Sequence, residues 1–174
     1  MSKYVEARVG RVPGHRPGDV FGVTSAGVPL GLFQFVAIDE NQLGSAVVGV
    51  LSGGWNPATH ADLDEIASRQ VVFWCHLFLQ SGIETGAWRR VGHTTVAHRC
   101  NTSFATLVPQ LLSDGRMERR WRVWRVGSTV EVYRRIPQEA GLVEYGAVVA
   151  VDRFLERMRS PGSTLFTQLE LDSM

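Results

Sequence analysis

Pro17-Gly18-Asp19-Val20-Phe21-Gly22-Val23, followed by the second apolar stretch Gly31-Leu32-Phe33-Gln34-Phe35-Val36-Ala37-Ile38, decides the fold class of this chain. A Pro-Gly-Asp turn feeds an apolar run, Ala26-Gly27 punctuates it, and apolar residues resume. That order is the signature of a β-hairpin. The domain therefore starts with a sheet, and no nucleotide-binding βαβ unit opens it. Upstream, residues 1–16 read as a loose arm, or as an edge strand over Tyr4 to Val9.

Downstream, Ala46 to Leu51 is a continuous run of small and β-branched residues, which suits a central strand. Ser52-Gly53-Gly54 breaks it, and Asn56-Pro57 starts a turn. Thr59 or Asp62 then caps a short helix through Ala67 that buries Leu63, Ile66 and Ala67. Between Gln70 and Gln80, Val71 to Leu79 reads as one long buried strand, with a buried helix as the alternative. Ala87 to Val91 is a further strand, carrying Trp88. Thr102 to Leu112 reads as a short helix or an irregular segment cut by Pro109.

Trp121 to Val126 and Thr129 to Arg135 flank Gly127-Ser128, a two-residue loop of the kind that closes hairpins. Alternation puts Trp121, Val123 and Arg125 on one face of that ribbon and Arg122, Trp124 and Val126 on the other. Leu142 to Ala150 is the last strand. Val151, Phe154, Leu155 and Met158 then mark one face of a terminal helix, with Asp152 in its first turn and Arg157 and Arg159 in its last. The fold expected is α+β and β-rich. It has a mostly antiparallel sheet, open or barrel-like, one short internal helix and a C-terminal helix. Residues 17–174 form a single domain.

Composition narrows the function classes. The chain has 174 residues, 44% of them hydrophobic and 20% charged, with a formal net charge of +1. That balance creates no global field favouring DNA or an anionic membrane. No apolar stretch is long enough to span a bilayer, and the first residues lack a signal-peptide apolar region. The chain is expected to be cytoplasmic. Cys75 and Cys100 read as buried or incidental thiols rather than a disulfide framework.

Charge is nevertheless unevenly placed. From Asp39 to Ile66 the charged residues are Asp39, Glu40, Asp62, Asp64 and Glu65, with no cation. From Arg89 to Arg135 arginine dominates, with ten arginines against Asp114, Glu118 and Glu131. Such asymmetry marks a binding face, unless the two segments fold against each other or are simply solvated. Trp121, Trp124 and Tyr133 interleaved with arginine also have the composition of a single-strand nucleic-acid platform. The near-neutral total and the tryptophans' opposite faces argue against it.

Catalytic motifs are missing. There is no nucleophile elbow and no phosphate-cradling glycine loop. His93, His98 and Cys100 cluster in sequence, but their spacing matches no standard zinc pattern. Cys75 and His76 are neighbours on a strand and point to opposite faces. Asp62 and Glu65 suit the solvated first turn of a helix better than an acid–base pair. No metal, cofactor or enzymatic activity is expected.

A set of short blocks resembles the immunity protein 26 family of bacterial polymorphic toxin systems. They are Pro17-Gly18-Asp19-Val20-Phe21, Gly31-Leu32-Phe33-Gln34-Phe35, the apolar run Val71 to Leu79, and Gly86-Ala87-Trp88-Arg89-Arg90-Val91-Gly92. Trp121, Pro137 and Tyr145-Gly146 follow before the final helix. The resemblance implies an antidote that binds a cognate toxin domain, encoded by the adjacent gene, and blocks its active site. Asp39, Glu40, Asp62, Asp64 and Glu65, with Trp55, are the toxin-binding candidates if the toxin has a basic cleft. Arg119, Arg122, Trp124, Arg125, Tyr133 and Arg135 are the alternative face, suited to a toxin with acidic catalytic residues or to nucleic acid.

Overall fold

The structure is a computed structural model that describes residues 13–59, 62–163 and 165–166. The proposed edge strand at Tyr4 to Val9 lies outside the described residues. The opening hairpin forms as its sequence requires. Strands β1 (Asp19–Ser25) and β2 (Val28–Asp39) pair antiparallel up to Ser25 opposite Val28. Ala26 and Gly27 both have positive φ, 49° and 78°, the backbone that a two-residue turn needs to match the twist of its strands. Next to β2 lies β3 (Ser45–Leu51), buried at every position, and then β4 (Val71–Leu77). Strand β5 (Trp88–His93) returns to pair with β1.

Both faces of this first sheet are covered. On one, Phe21, Val23, Phe33, Phe35 and Phe73 pack against the terminal helix, α3 (Val151–Arg159), through Phe154 and Met158. The rings of Phe33 and Trp88 meet Phe154 edge-on, with centroids 5.6 and 5.4 Å apart. Burying a side chain such as Phe154 contributes roughly 2–3 kcal/mol. On the other face, Val20, Leu32 and Leu51 hold a short helix, α1 (Leu63–Ser68), through Ile66 and Leu63. Asp62 provides its cap, accepting the Glu65 backbone N–H at 3.1 Å.

The run read as one strand from Val71 to Leu79 divides. It leaves the sheet at Leu77, and Leu79–Glu84 forms a second short helix, α2, so the described residues hold two internal α-helices rather than one. Leu79 and Ile83, one helical turn apart, both face the core. Gly82 makes the close approach possible, because a Cβ there would lie 2.0 Å from the Trp88 indole. The Trp88 N–H donates to the Leu79 carbonyl at 2.9 Å.

A second sheet has the order β8-β7-β6-β9. Its strands are β6 (Ser103–Leu111), β7 (Met117–Arg125), β8 (Glu131–Tyr133) and β9 (Val143–Tyr145). The segment read as helical or irregular, Thr102 to Leu112, is therefore one arm of a hairpin. Pro109 does not interrupt it. Leu112 N–H bonds Arg116 across the turn, and the Ala105 carbonyl bonds Gly146 on the other side. Odd-numbered residues of β6 therefore turn their backbone groups away from β7, and the N–H that Pro109 lacks belongs to an open edge.

The Gly127-Ser128 loop also differs from the expected two-residue turn. That turn would set Trp121 opposite Arg134, whereas Trp121 lies opposite Tyr133. Leu142 to Ala150 is likewise not one strand. Val143–Tyr145 pairs parallel with β6, and Val148–Val149 (β10) pairs parallel with β4, so the chain crosses between sheets at Gly146. A Cβ at that glycine would lie 2.4 Å from Trp124 and 2.8 Å from Ala105. Among the described residues both sheets stay open, with edges at β10 and β5 and at β8 and β9, and no barrel closes. The architecture is α+β and mostly antiparallel. No helix among the described residues is long and apolar enough to cross a membrane.

Candidate interaction surface

The acidic candidates do not assemble. Asp39 ends β2 and is only 1% exposed. Its Oδ2 lies 3.0 Å from His76 Nε2 and accepts the Trp124 indole N–H at 2.8 Å. One member of each rival candidate set is thus bonded to the other inside the protein. Asp39 Oδ1, His76 Nδ1 and Ser45 Oγ, in the same corner, have no hydrogen-bond partner among the described residues. Glu40 alone of that pair reaches the surface.

Asp62 and Glu65 lie at the other end of the sheet. From Leu32 opposite Leu51 to Asp39 opposite Ser45 the strands advance seven residues, about 23 Å. Glu65 pairs with Arg69 at 3.0 Å, and Arg69 also donates to the Gly54 carbonyl at 2.9 Å. Asp64 lies in α1. Trp55 is half-buried beneath Arg89, whose guanidinium is 5.8 Å from the ring centroid. Its ring lies over Gly22, where a Cβ would approach to 2.2 Å. The acidic segment is therefore two separate features.

The basic candidates divide between the two sides of the β7 ribbon. Trp121 and Val123 are buried on one side with Ala105 and Phe166, and Trp124 on the other with Val47 and Phe104. Arg119, Arg125 and Tyr133 share the first side, and Arg122 lies on the second. Arg135 follows β8 and is exposed. A cleft of about 510 Å³ opens on the first side. Arg125, Tyr133 and Trp124 line it together with Glu131 and Glu139, so its charge is mixed. Tyr133 donates its hydroxyl to Glu131, and that bond raises its phenol above the ordinary value.

Sequence reasoning passed over Asp19, although the block containing it was singled out. It is 1% exposed, with Oδ1 3.0 Å from both Arg90 Nε and His93 Nδ1. Oδ2 accepts the Arg16 backbone N–H at 3.1 Å and lies 3.5 Å from His15. Burial works to raise the Asp19 carboxyl. The Arg16 N–H, Arg90 and His93 overcome it and hold the group below the usual carboxylate value.

His93, His98 and Cys100 do not converge as ligands. His93 is held by Asp19, while the His98 backbone N–H donates to Gln34 at 2.8 Å. Burial lowers the His98 imidazole and pushes the Cys100 thiol up to about 11. Burial also raises Cys75, which lies in the main core. Neither thiol is activated at neutral pH. Among the described residues no group of three His, Cys, Asp or Glu side chains is placed to hold a metal ion.

The distal half of the β6–β7 ribbon was also missed. Leu111 and Met117 face each other there at 65% and 63% exposure. Their signal was the alternation Leu107, Pro109, Leu111, which is visible only once the segment is read as a strand. Comparison with protein-family models, with curated proteins and with solved structures finds no match.

Proposed function

We propose that this chain is an immunity protein of the immunity protein 26 type, which binds one cognate toxin domain in the cytoplasm and covers its active cleft. One observation carries the reading: three of the blocks that carry the resemblance, the third far in sequence from the other two, meet in β2, β1 and β5 and depend on one another. Asp19 lies opposite His93 and bonds Arg90, Phe21 lies opposite Phe33, and Val23 lies opposite Trp88. Gly18 passes the Thr94 carbonyl so closely that a Cβ would lie 2.4 Å from it. Gln34 holds the chain beyond β5, donating to Thr94 Oγ1 at 2.6 Å and to the Val96 carbonyl at 3.0 Å. Residues with so many mutual constraints are what a family pattern retains, whatever the surface does.

A nucleic-acid reading has less support. Trp124 is bonded to Asp39 and Trp121 lies beneath Phe166, so neither indole offers a face for base stacking. Co-expression in bacteria with the protein encoded immediately upstream tests the proposal. Survival is expected to be restored, with the two proteins co-purifying. A harmless neighbour, or a toxic one that is neither neutralised nor bound, would overturn it.

A further inference from the structure

The ribbon of β6 and β7 is amphipathic the wrong way round for a lone protein. Strand β9 covers β6 only at Ser103–Ala105, and β8 covers β7 only at Trp121–Val123. Beyond Trp121 the ribbon continues as two strands for about 14 Å. One side carries Glu118, Arg120 and Arg122, with Glu118 bridged to Arg120 and Arg134. The other carries Leu107, Pro109, Leu111 and Met117, and it continues the buried patch of Ala105, Trp121 and Phe166 into solvent. A sheet's apolar side normally faces a second layer, and among the described residues that layer ends at Trp121.

We propose that this apolar strip is the toxin-docking surface. It enters an apolar cleft of the toxin domain whose rim carries a carboxylate for Arg119. The proposal rests on the immunity reading above. Charge selects the occupant. Arg119 stands on the apolar side, exposed, with no ion pair or hydrogen bond among the described residues. The ribbon's own carboxylates are occupied, Asp114 by Arg116 and Glu118 by Arg120 and Arg134. A second copy packed on the strip would bring two uncompensated guanidinium groups into one interface. Docking is face-on, because Pro109 removes a donor from the outer edge of β6 and so discourages an added strand.

The test uses the full chain and the toxin domain encoded upstream. Calorimetry and co-expression rescue would compare the wild type with L111E/M117E, R119E and the surface control E84A/E156A, at two exposed positions outside both candidate faces. Thermal melts would confirm folding, and L111A/M117A would replace the glutamates if they unfold the chain. The double glutamate variant should weaken binding at least roughly 100-fold and lose rescue, as expected for central apolar anchors. R119E should lose about tenfold, chiefly in association rate, and the control should bind as the wild type does. Wild-type affinity in L111E/M117E would overturn the ribbon proposal and leave the immunity reading standing. A wild-type chain that neither binds nor rescues would overturn both. A dimer of the free chain that dissolves in L111E/M117E would give the strip to a second copy and overturn this assignment.

Discussion

The two sheets are made of similar strands and finished to different degrees. In the first, β3 is buried at all seven positions, with α3 on one side and α1 and the second sheet on the other. In the second, among the described residues, only the part near Trp121 and Trp124 has a second layer, and Leu111 and Met117 are exposed. The difference teaches that strand character does not depend on burial here, whereas its visibility in the sequence does. It also divides the labour. The first sheet carries the mutually constrained blocks, and the second carries the unfinished surface.

The sheets are joined by ionic and polar contacts, and these offer the sharpest ways to break the contrast. The largest effect is expected at Arg157. Its guanidinium is buried, 2.7 Å from Glu144 Oε2, and lies 4.1 Å from the Phe73 ring centroid. Glu144 Oε1 accepts the Trp74 N–H at 3.1 Å, on the stretch of β4 that β10 leaves unpaired. One carboxylate thus ties β9, β4 and α3 together. Arg157→Ala would leave Glu144 buried without its counter-charge, and unfolding in urea should show a loss of about 3–5 kcal/mol. A loss below about 1 kcal/mol would mean that this ion pair adds little to the apolar packing and the Trp124–Asp39 bond that also join the sheets.

Next in size is Trp124→Phe. The ring's packing against Val47 and Phe104 largely survives, while Asp39 loses its indole donor and keeps His76. Leaving a buried carboxylate short of a hydrogen bond should cost about 1–3 kcal/mol, read from the same denaturation curves. An unchanged midpoint would show that solvent already reaches that corner, and the two sheets would then be joined less tightly than Asp39 suggests.

What was legible in the sequence follows the same division. The hairpin at Ala26-Gly27, the central strand over Ala46–Leu51, the Asp62 cap and the α3 face each rest on a local signal that tertiary structure reinforces. The helix at Leu79 was hidden because it follows a buried strand without a break in hydrophobicity. Strand β6 was hidden because both of its sides are apolar near Ala105 and Phe104, which blurs the alternation, and because Pro109 reads as a stop unless the edge is known. For the candidate site, the division of the arginines between two sides followed from period two alone. The burial of Asp39 did not, since a carboxylate at a strand end is ordinarily solvated and its partners are 37 and 85 residues away.

Asp19 supplies the smallest effect and the one most specific to the first sheet. Its folded carboxyl lies below the ordinary value, near 3.9 in an unfolded chain. A depressed carboxyl contributes stability that is complete above the unfolded value and disappears as pH falls through the folded one. Asp19→Asn should therefore melt below the wild type at pH 7, and the two melting temperatures should converge as the pH is lowered from about 4 toward 2. The gap should be smaller than that at Arg157, because Arg90 is 43% exposed and water already screens it. Comparing variant with wild type at each pH cancels the titration of the other carboxylates. A gap that stays constant into acid would mean that Asp19 acts through shape and neutral hydrogen bonds. The first sheet would then owe its mutually dependent blocks to packing, as it does at Gly18 and Gly82, rather than to charge.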